Sequence, residues 1–276
     1  MQENSNTTGI TGSPTIGEII RICSTMYRLG WNERNGGNIS MIINEDEVKK
    51  YLDTEKTRED FDLHFDAGEL EGKLFAVTRT GSYFRNMETD PAYNLGIIRI
   101  NRGGRSAGIL WGLTDQGRPT SELSSHLRSH IARLRQEPRH RIVMHSHAVN
   151  TVAMTYVHPL DEREFTRSLW RMETECIIVF PEGVGVLPWM ICGNDEIGQA
   201  TAEKMERFRV CVWAQHGIFA AGSSIDEAFG LIETVEKAAQ IYLKVIDKKI
   251  LNTISDSELK LLAETFKVPY RKDFLD

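Results

Sequence analysis

Arg141-Ile-Val-Met-His-Ser-His147 is the stretch on which the reading of this chain turns. Three apolar residues run directly into two histidines one residue apart. A short apolar run of this kind is the pattern of a buried β-strand. Side chains at i and i+2 of a strand point to the same face, so His145 and His147 project together. A second stretch, Val210-Cys-Val-Trp-Ala-Gln-His216, has the same form and delivers another histidine at its end, followed by Gly217. Three neutral imidazoles from two strand ends can hold one divalent ion and leave a fourth position open, the donor set of a catalytic zinc site. The plainer reading of the His145–His147 pair is two half-exposed polar side chains, and His216 at a second strand end tips the balance toward a metal. His64, His126, His130, His140 and His158 fall in loop or helical contexts and read as surface or structural residues.

Outward from these two strands, hydrophobic periodicity alternates between two and 3.6. Ile39–Ile43, Lys73–Thr78 and Cys176–Phe180 read as further strands. Leu95–Ile100 and Gly108–Gly112 read as a hairpin around Asn101-Arg-Gly-Gly104. Helices are expected over four stretches: from Ser121 onward, over residues 161–172, from Asn194 or Asp195 to about Phe208, and from a capping box at Ser224-Ile-Asp-Glu227. A capping box at Thr15-Ile-Gly-Glu18 opens another, which closes at Gly30. Residues 1–14 read as a flexible N-terminal arm, and residues 44–72 as a charged excursion from the core. The mixture predicts a single α/β/α layered domain over 15–276, with a central mixed, mainly antiparallel sheet flanked by helices.

With 276 residues, 41% apolar and 26% charged, the chain has the composition of a soluble globular protein. Its net charge of −6 argues against a general nucleic-acid partner. No apolar run approaches the length of a membrane span, and no basic-then-apolar leader opens the sequence. The cysteines Cys23, Cys176, Cys192 and Cys211 form no CxxC pair and read as free, mostly buried thiols suited to a reducing cytoplasm.

Three small-residue turns could present backbone amides to an anion: Asn35-Gly36-Gly37-Asn38, Arg79-Thr80-Gly81-Ser82, and Pro119-Thr120-Ser121-Glu122 at a helix start. Each alone is usually only a turn. Together they suggest a phosphate nest. Glu122 has two readings, a first-turn acid favoured by the helix dipole or a general base beside the metal.

At these residues the chain resembles the class II aldolases. The resemblance is carried by Gly30-Trp-Asn-Glu-Arg-Asn-Gly-Gly-Asn38, Trp111-Gly-Leu-Thr114, Pro119-Thr-Ser-Glu-Leu123, Val143-Met-His-Ser-His147, Thr174-Glu-Cys176, Phe180-Pro-Glu-Gly-Val-Gly185 and His216-Gly217, and spans nearly the whole chain. It implies a class II aldolase-like fold, one Zn²⁺ per subunit held by His145, His147 and His216, and a homotetramer. It implies cleavage of L-rhamnulose 1-phosphate into dihydroxyacetone phosphate and L-lactaldehyde. Glu122 matches the family's catalytic carboxylate, and Glu175 an acid reaching the active site from a neighbouring subunit. Asn35, Gly37, Asn38, Thr80, Gly81, Thr120 and Ser121 match positions that hold the phosphate and ketone end. The chain departs from the pattern at Thr80, where serine is common, and at Arg79, where glycine is common. Relatives that cleave fuculose phosphate or epimerise pentulose phosphates share the same residues. Adducin-like head domains share the fold but lack the ligands. Cupins also carry HxH but need a glutamate shortly after it, where this chain has Ala148-Val-Asn-Thr-Val152.

Overall fold

The computed structural model describes residues 9–276. The chain opens with α1 (Pro14–Arg28), β1 (Asn38–Ile43), α2 (Glu45–Val48), β2 (Glu59–Asp62) and β3 (Leu74–Thr78). There follow α3 (Pro91–Asn94), β4 (Leu95–Ile100), β5 (Ser106–Gly112), α4 (Leu123–Gln136), β6 (Ile142–Ser146), α5 (Val149–Val157) and α6 (Glu162–Trp170). The last part holds α7 (Cys176–Val179), β7 (Gly185–Leu187), α8 (Asp195–Met205), β8 (Val210–Trp213), β9 (Gly217–Gly222), α9 (Ile225–Val245) and α10 (Asp256–Phe266).

The nine strands among the described residues join one sheet in the order β2-β5-β4-β3-β1-β6-β9-β8-β7. Every pairing is antiparallel except β7 with β8. β6 lies inside the sheet, between β1 and β9, and every residue of it is buried, which explains its unbroken apolar run. Alternation then divides its side chains. Ile142 and Met144 face the large core beneath α1, α5 and α9, while Val143 packs with Trp213 and Phe219 on the face covered by α4 and α8. His145 follows Val143 in phase, so the ring points toward the start of α4.

Several expectations change. The run Cys176–Phe180 forms the helical turn α7, not a strand; β8 takes its parallel partner from Gly185–Leu187 instead. Short apolar runs buried on all sides carry no periodicity to tell strand from helix. The stretch after His147 turns at once into α5, a helix absent from the expected elements. The cap of α1 is Ser13 and not Thr15. Ser13 accepts from the Ile16 amide, and Pro14 follows at the first helical position, where its missing N–H costs nothing. The Ser224 box is half formed: Ser224 caps Glu227, whose carboxylate is taken by Ser223 and Arg209. The 44–72 excursion contributes β2, an edge strand paired with β5. Of the expected arm, residues 1–8 lie outside the described residues. From residue 9 the chain packs: Ile10 is buried, and the hydroxyls of Ser13 and Thr15 both donate to Glu47. No helix among the described residues is long and apolar enough to cross a membrane.

Candidate active site

The sheet brings the three histidines together where β6 and β8 end. β6 ends at Ser146, and His147 follows as its amide donates to the Trp31 carbonyl. β8 ends at Trp213, earlier than the sequence suggested, and His216 sits in the tight turn that leads into β9. The hairpin hydrogen bonds of β8 and β9, together with the pairing of His145 with Phe219 across β6 and β9, fix where that turn lies. Ring centroids are 5.2 Å apart for His145 and His147, 4.9 Å for His145 and His216, and 5.1 Å for His147 and His216. A nitrogen from each lies within 4.8 Å of the others. Two glycines make room. A Cβ on Gly217 would stand 2.7 Å from the His145 ring, and Gly37, at φ +72°, lies against the His145 carbonyl.

The hydrogen bonds set which nitrogens face inward. The Nδ1 of His145 donates to the Ile218 carbonyl at 3.2 Å, so its Nε2 carries the lone pair. That Nε2 is buried and has no hydrogen-bond partner among the described residues. The Nδ1 of His147 is held by the Glu33 carboxylate at 2.9 Å, leaving its Nε2 likewise free to ligate. Burial, together with the neighbouring imidazoles, pushes His145 far below the usual histidine range and His216 to about 4, so both are neutral at pH 7. Neutral imidazole is the ligating form.

Glu122 completes the site. It occupies the N-cap position of α4, without capping it, and is buried. Its Oε2 lies 3.6 Å from His145 Nε2 and its Oε1 3.8 Å from His216 Nε2. With His145 unprotonated at Nε2, the first of these is a lone pair facing a carboxylate oxygen. Two acceptors at that separation repel unless a cation lies among them, so the donor set fits a divalent metal. Desolvation raises the Glu122 carboxyl above its ordinary value, opposed by the hydrogen bond from Asn38 and the charge of His147.

The three small-residue turns converge as well. Asn35, Gly37, Asn38, Thr80, Gly81, Thr120, Ser121 and Glu122 line one cavity of about 350 Å³, together with His147 and His216. A β-bridge between Arg79 and Pro119 sets two of the turns side by side. The amides of Thr80 and Thr120 are used, on Arg118 and Thr78, so these residues offer their hydroxyls. Among the described residues the amides of Gly81 and Ser121 have no protein acceptor. Arg79 does not close the nest: its guanidinium donates to the Thr114 carbonyl at 2.6 Å and stacks 3.7 Å from the Tyr93 ring.

Glu175 is elsewhere. It lines a separate cavity with Trp31, Glu173 and Lys237. Cys192 is the exposed exception among the mostly buried thiols, and it lines the histidine cavity. Of the two readings of His126 and His130, surface or structural, the second holds: both are buried beneath Glu122. Their spacing, i and i+4 on the helix that Glu122 begins, was the available signal. Glu33 on His147 had no signal beyond its place in the Trp31–Asn38 loop.

Residues 17–243 match the profile of the Class II Aldolase and Adducin N-terminal domain family, and the chain belongs to that family. More particularly, it is 51% identical over 262 residues to a rhamnulose-1-phosphate aldolase of Listeria monocytogenes, covering 95% of this chain and 96% of that protein. A rhamnulose-1-phosphate aldolase of Enterococcus faecalis is 48% identical over 265 residues, covering 96% and 95%. Among solved structures, a sugar-phosphate aldolase from Thermotoga maritima is similar with a TM-score of 0.73 at 27% identity, over 86% of this chain and 98% of that one. An L-fuculose 1-phosphate aldolase shares the fold at a TM-score of 0.59 and 22% identity, over 91% and 95%.

Proposed function

We propose that this chain cleaves L-rhamnulose 1-phosphate to dihydroxyacetone phosphate and L-lactaldehyde as a zinc-dependent aldolase. The observation that carries the metal-dependent chemistry is the partnerless, buried Nε2 of His145 facing the Glu122 carboxylate inside a triangle of imidazoles. The choice of sugar rests on the rhamnulose-1-phosphate aldolases that match almost end to end.

His145, His147 and His216 would hold the ion, one per subunit. When bound, it supplies positive charge that stabilises the negative charge developing on the substrate's ketone end as the C3–C4 bond breaks. The chain's own residues do the rest. Gly81 and Ser121 offer amides, Thr80 and Thr120 hydroxyls, and the Asn35–Gly37 turn closes the cavity around the phosphate. Held there, the phosphate fixes the orientation of a bond several atoms away, which is binding energy used at a distance. As the C3–C4 bond breaks, the C4 hydroxyl gives up a proton to become the aldehyde and C3 gains one; Glu122 would deliver the proton to C3. Burial raises its proton affinity toward what a group that both takes and returns a proton needs.

Glu175 lies outside this cavity within the chain, so its part would be played toward the site of a neighbouring subunit in a homotetramer. The buried thiols of Cys23, Cys176 and Cys211 fit a reducing cytoplasm. An adducin-like, non-catalytic role would leave the converging imidazoles without a use.

The test is release of dihydroxyacetone phosphate from L-rhamnulose 1-phosphate before chelation, after it, and after Zn²⁺ is restored. Loss and recovery of turnover is the expected result. Turnover untouched by complete metal removal overturns the metal mechanism, and faster cleavage of L-fuculose 1-phosphate overturns the choice of sugar.

A further inference from the structure

Glu122, Asn38, His126, Ser40 and His130 form an unbroken line of five buried polar side chains, of which only Glu122 and Asn38 line the histidine cavity. Asn38 and Ser40 stand two apart on β1 and share a face. Glu122, His126 and His130 follow at intervals of four along α4 and share a stripe. Ser40 and His126 are fully excluded from solvent, and His130, Glu122 and Asn38 nearly so.

The direction of every bond in the line is determined. The Glu122 carboxylate only accepts, so the contact of 2.8 Å with Asn38 makes the Asn38 Nδ2 the donor. The Asn38 Oδ1 must then accept, and its partner is the Nε2–H of His126. A neutral imidazole with hydrogen on Nε2 has its lone pair on Nδ1, which accepts the Ser40 hydroxyl at 2.7 Å. The Ser40 oxygen in turn accepts the Nε2–H of His130 at 2.8 Å. Burial holds the imidazoles of His126 and His130 down to about 3, so each is neutral and can keep one tautomer. Phe219 and Phe75 pack against these two rings, at 5.4 and 5.1 Å between centroids, and fix their planes.

We propose that His130, Ser40 and His126 form a one-way hydrogen-bond relay that locks the Asn38 amide with its NH₂ toward Glu122, making them positioning residues for the proton-transferring carboxylate. This deepens the reading given under Proposed function and rests on it. Without the relay the Asn38 amide could turn over. Its oxygen would then face the carboxylate, and the carboxylate would lose the donor that holds it beside the imidazole cluster. A purely structural polar seam between β1 and α4 would show the same contacts but would leave turnover unaffected. The relay does not.

Two measurements on the zinc-loaded full chain decide it. Neutron diffraction should show deuterium on the Nε2 of both His126 and His130, and the Asn38 ND₂ directed at Glu122. Hydrogen on the Nδ1 of His126 overturns the relay. Ser40→Ala removes only one oxygen and cuts the line in two. It should lower kcat roughly tenfold, the worth of about one hydrogen bond in orientation, with KM within about twofold and zinc content unchanged. Unchanged kcat in Ser40→Ala overturns the positioning role, and so does a fall in zinc content that accounts for the loss. Should the wild-type chain fail to cleave the ketose phosphate, the reading of function fails, and the hydrogen positions alone decide the relay.

Discussion

The loop Trp31–Asn38 separates two cavities of different make. On one side its residues from Glu33 to Asn38 line the histidine cavity, about 350 Å³. On the other, Trp31 lines a cavity of about 620 Å³ with Glu173, Glu175, Glu233 and Lys237. The larger cavity has the more charge and the less organisation. Its one well-held acid, Glu236, is spent on the start of α5, where it accepts from the amides of Asn150 and Thr151. Glu173 keeps a buried oxygen without a partner among the described residues, and burial and then Glu175 raise its carboxyl. In the smaller cavity Glu33 holds the Nδ1 of His147, Asn38 at the start of β1 donates to Glu122, and the Arg79 guanidinium is tied to the Thr114 carbonyl. Size is therefore a poor guide to chemistry here. Convergence of groups on rigid strand ends is the better one.

Glu122→Gln should break the contrast most sharply. It keeps the shape of the side chain and the metal but removes its proton transfer, so kcat should fall roughly 10²–10⁴-fold with zinc content intact. Near-normal turnover in that variant removes Glu122 from the chemistry. Glu33→Gln comes next: with the carboxylate behind His147 gone, zinc affinity should weaken by roughly 10–100-fold, read by competition with a chelating dye. Affinity equal to wild type would leave Glu33 a bystander.

Acid should act on the two sides in opposite directions. His126 and His130 have folded values near 3, below the ordinary histidine value of 6.5, so the unfolded chain binds more protons between those limits. Their neutral burial is tolerated fully above pH 6.5, and stability is lost as pH falls below it. At pH 5 the cost is about 30-fold in the folding equilibrium for each ring. Glu173 and Glu233 have raised values, so the folded chain binds more protons and acid favours it on their account. Both are partly exposed, and the histidines should dominate. A melting temperature that rises between pH 7 and pH 5 would contradict this. The smallest effect belongs to Glu173→Gln, which should change kcat by less than about twofold while flattening the part of the pH profile due to the acidic cavity. A larger loss of turnover would make Glu173 part of the active site.

Much of this was legible along the chain. The apolar run into His145-Ser-His147, the histidine before Gly217, the three small-residue turns and the acid after Pro119-Thr-Ser are local patterns, and the period of two or 3.6 says which face each side chain takes. The layered sheet followed from the same patterns because a strand buried on both faces must be apolar throughout. Local pattern carries no information about partners distant in sequence. Cys176–Val179 had no period to show that it is a helical turn, and Ile10 had no sign that a core waited for it. Only tertiary structure decided that His126 and His130 lie under Glu122 and not at the surface. The same holds for Asn38, which turns its amide toward Glu122, and for Glu175, which lies in another cavity. A histidine on a helix is compatible with water or with burial. Which of these it meets depends on what β1 places opposite, and the residue there, Ser40, lies 86 positions away along the chain.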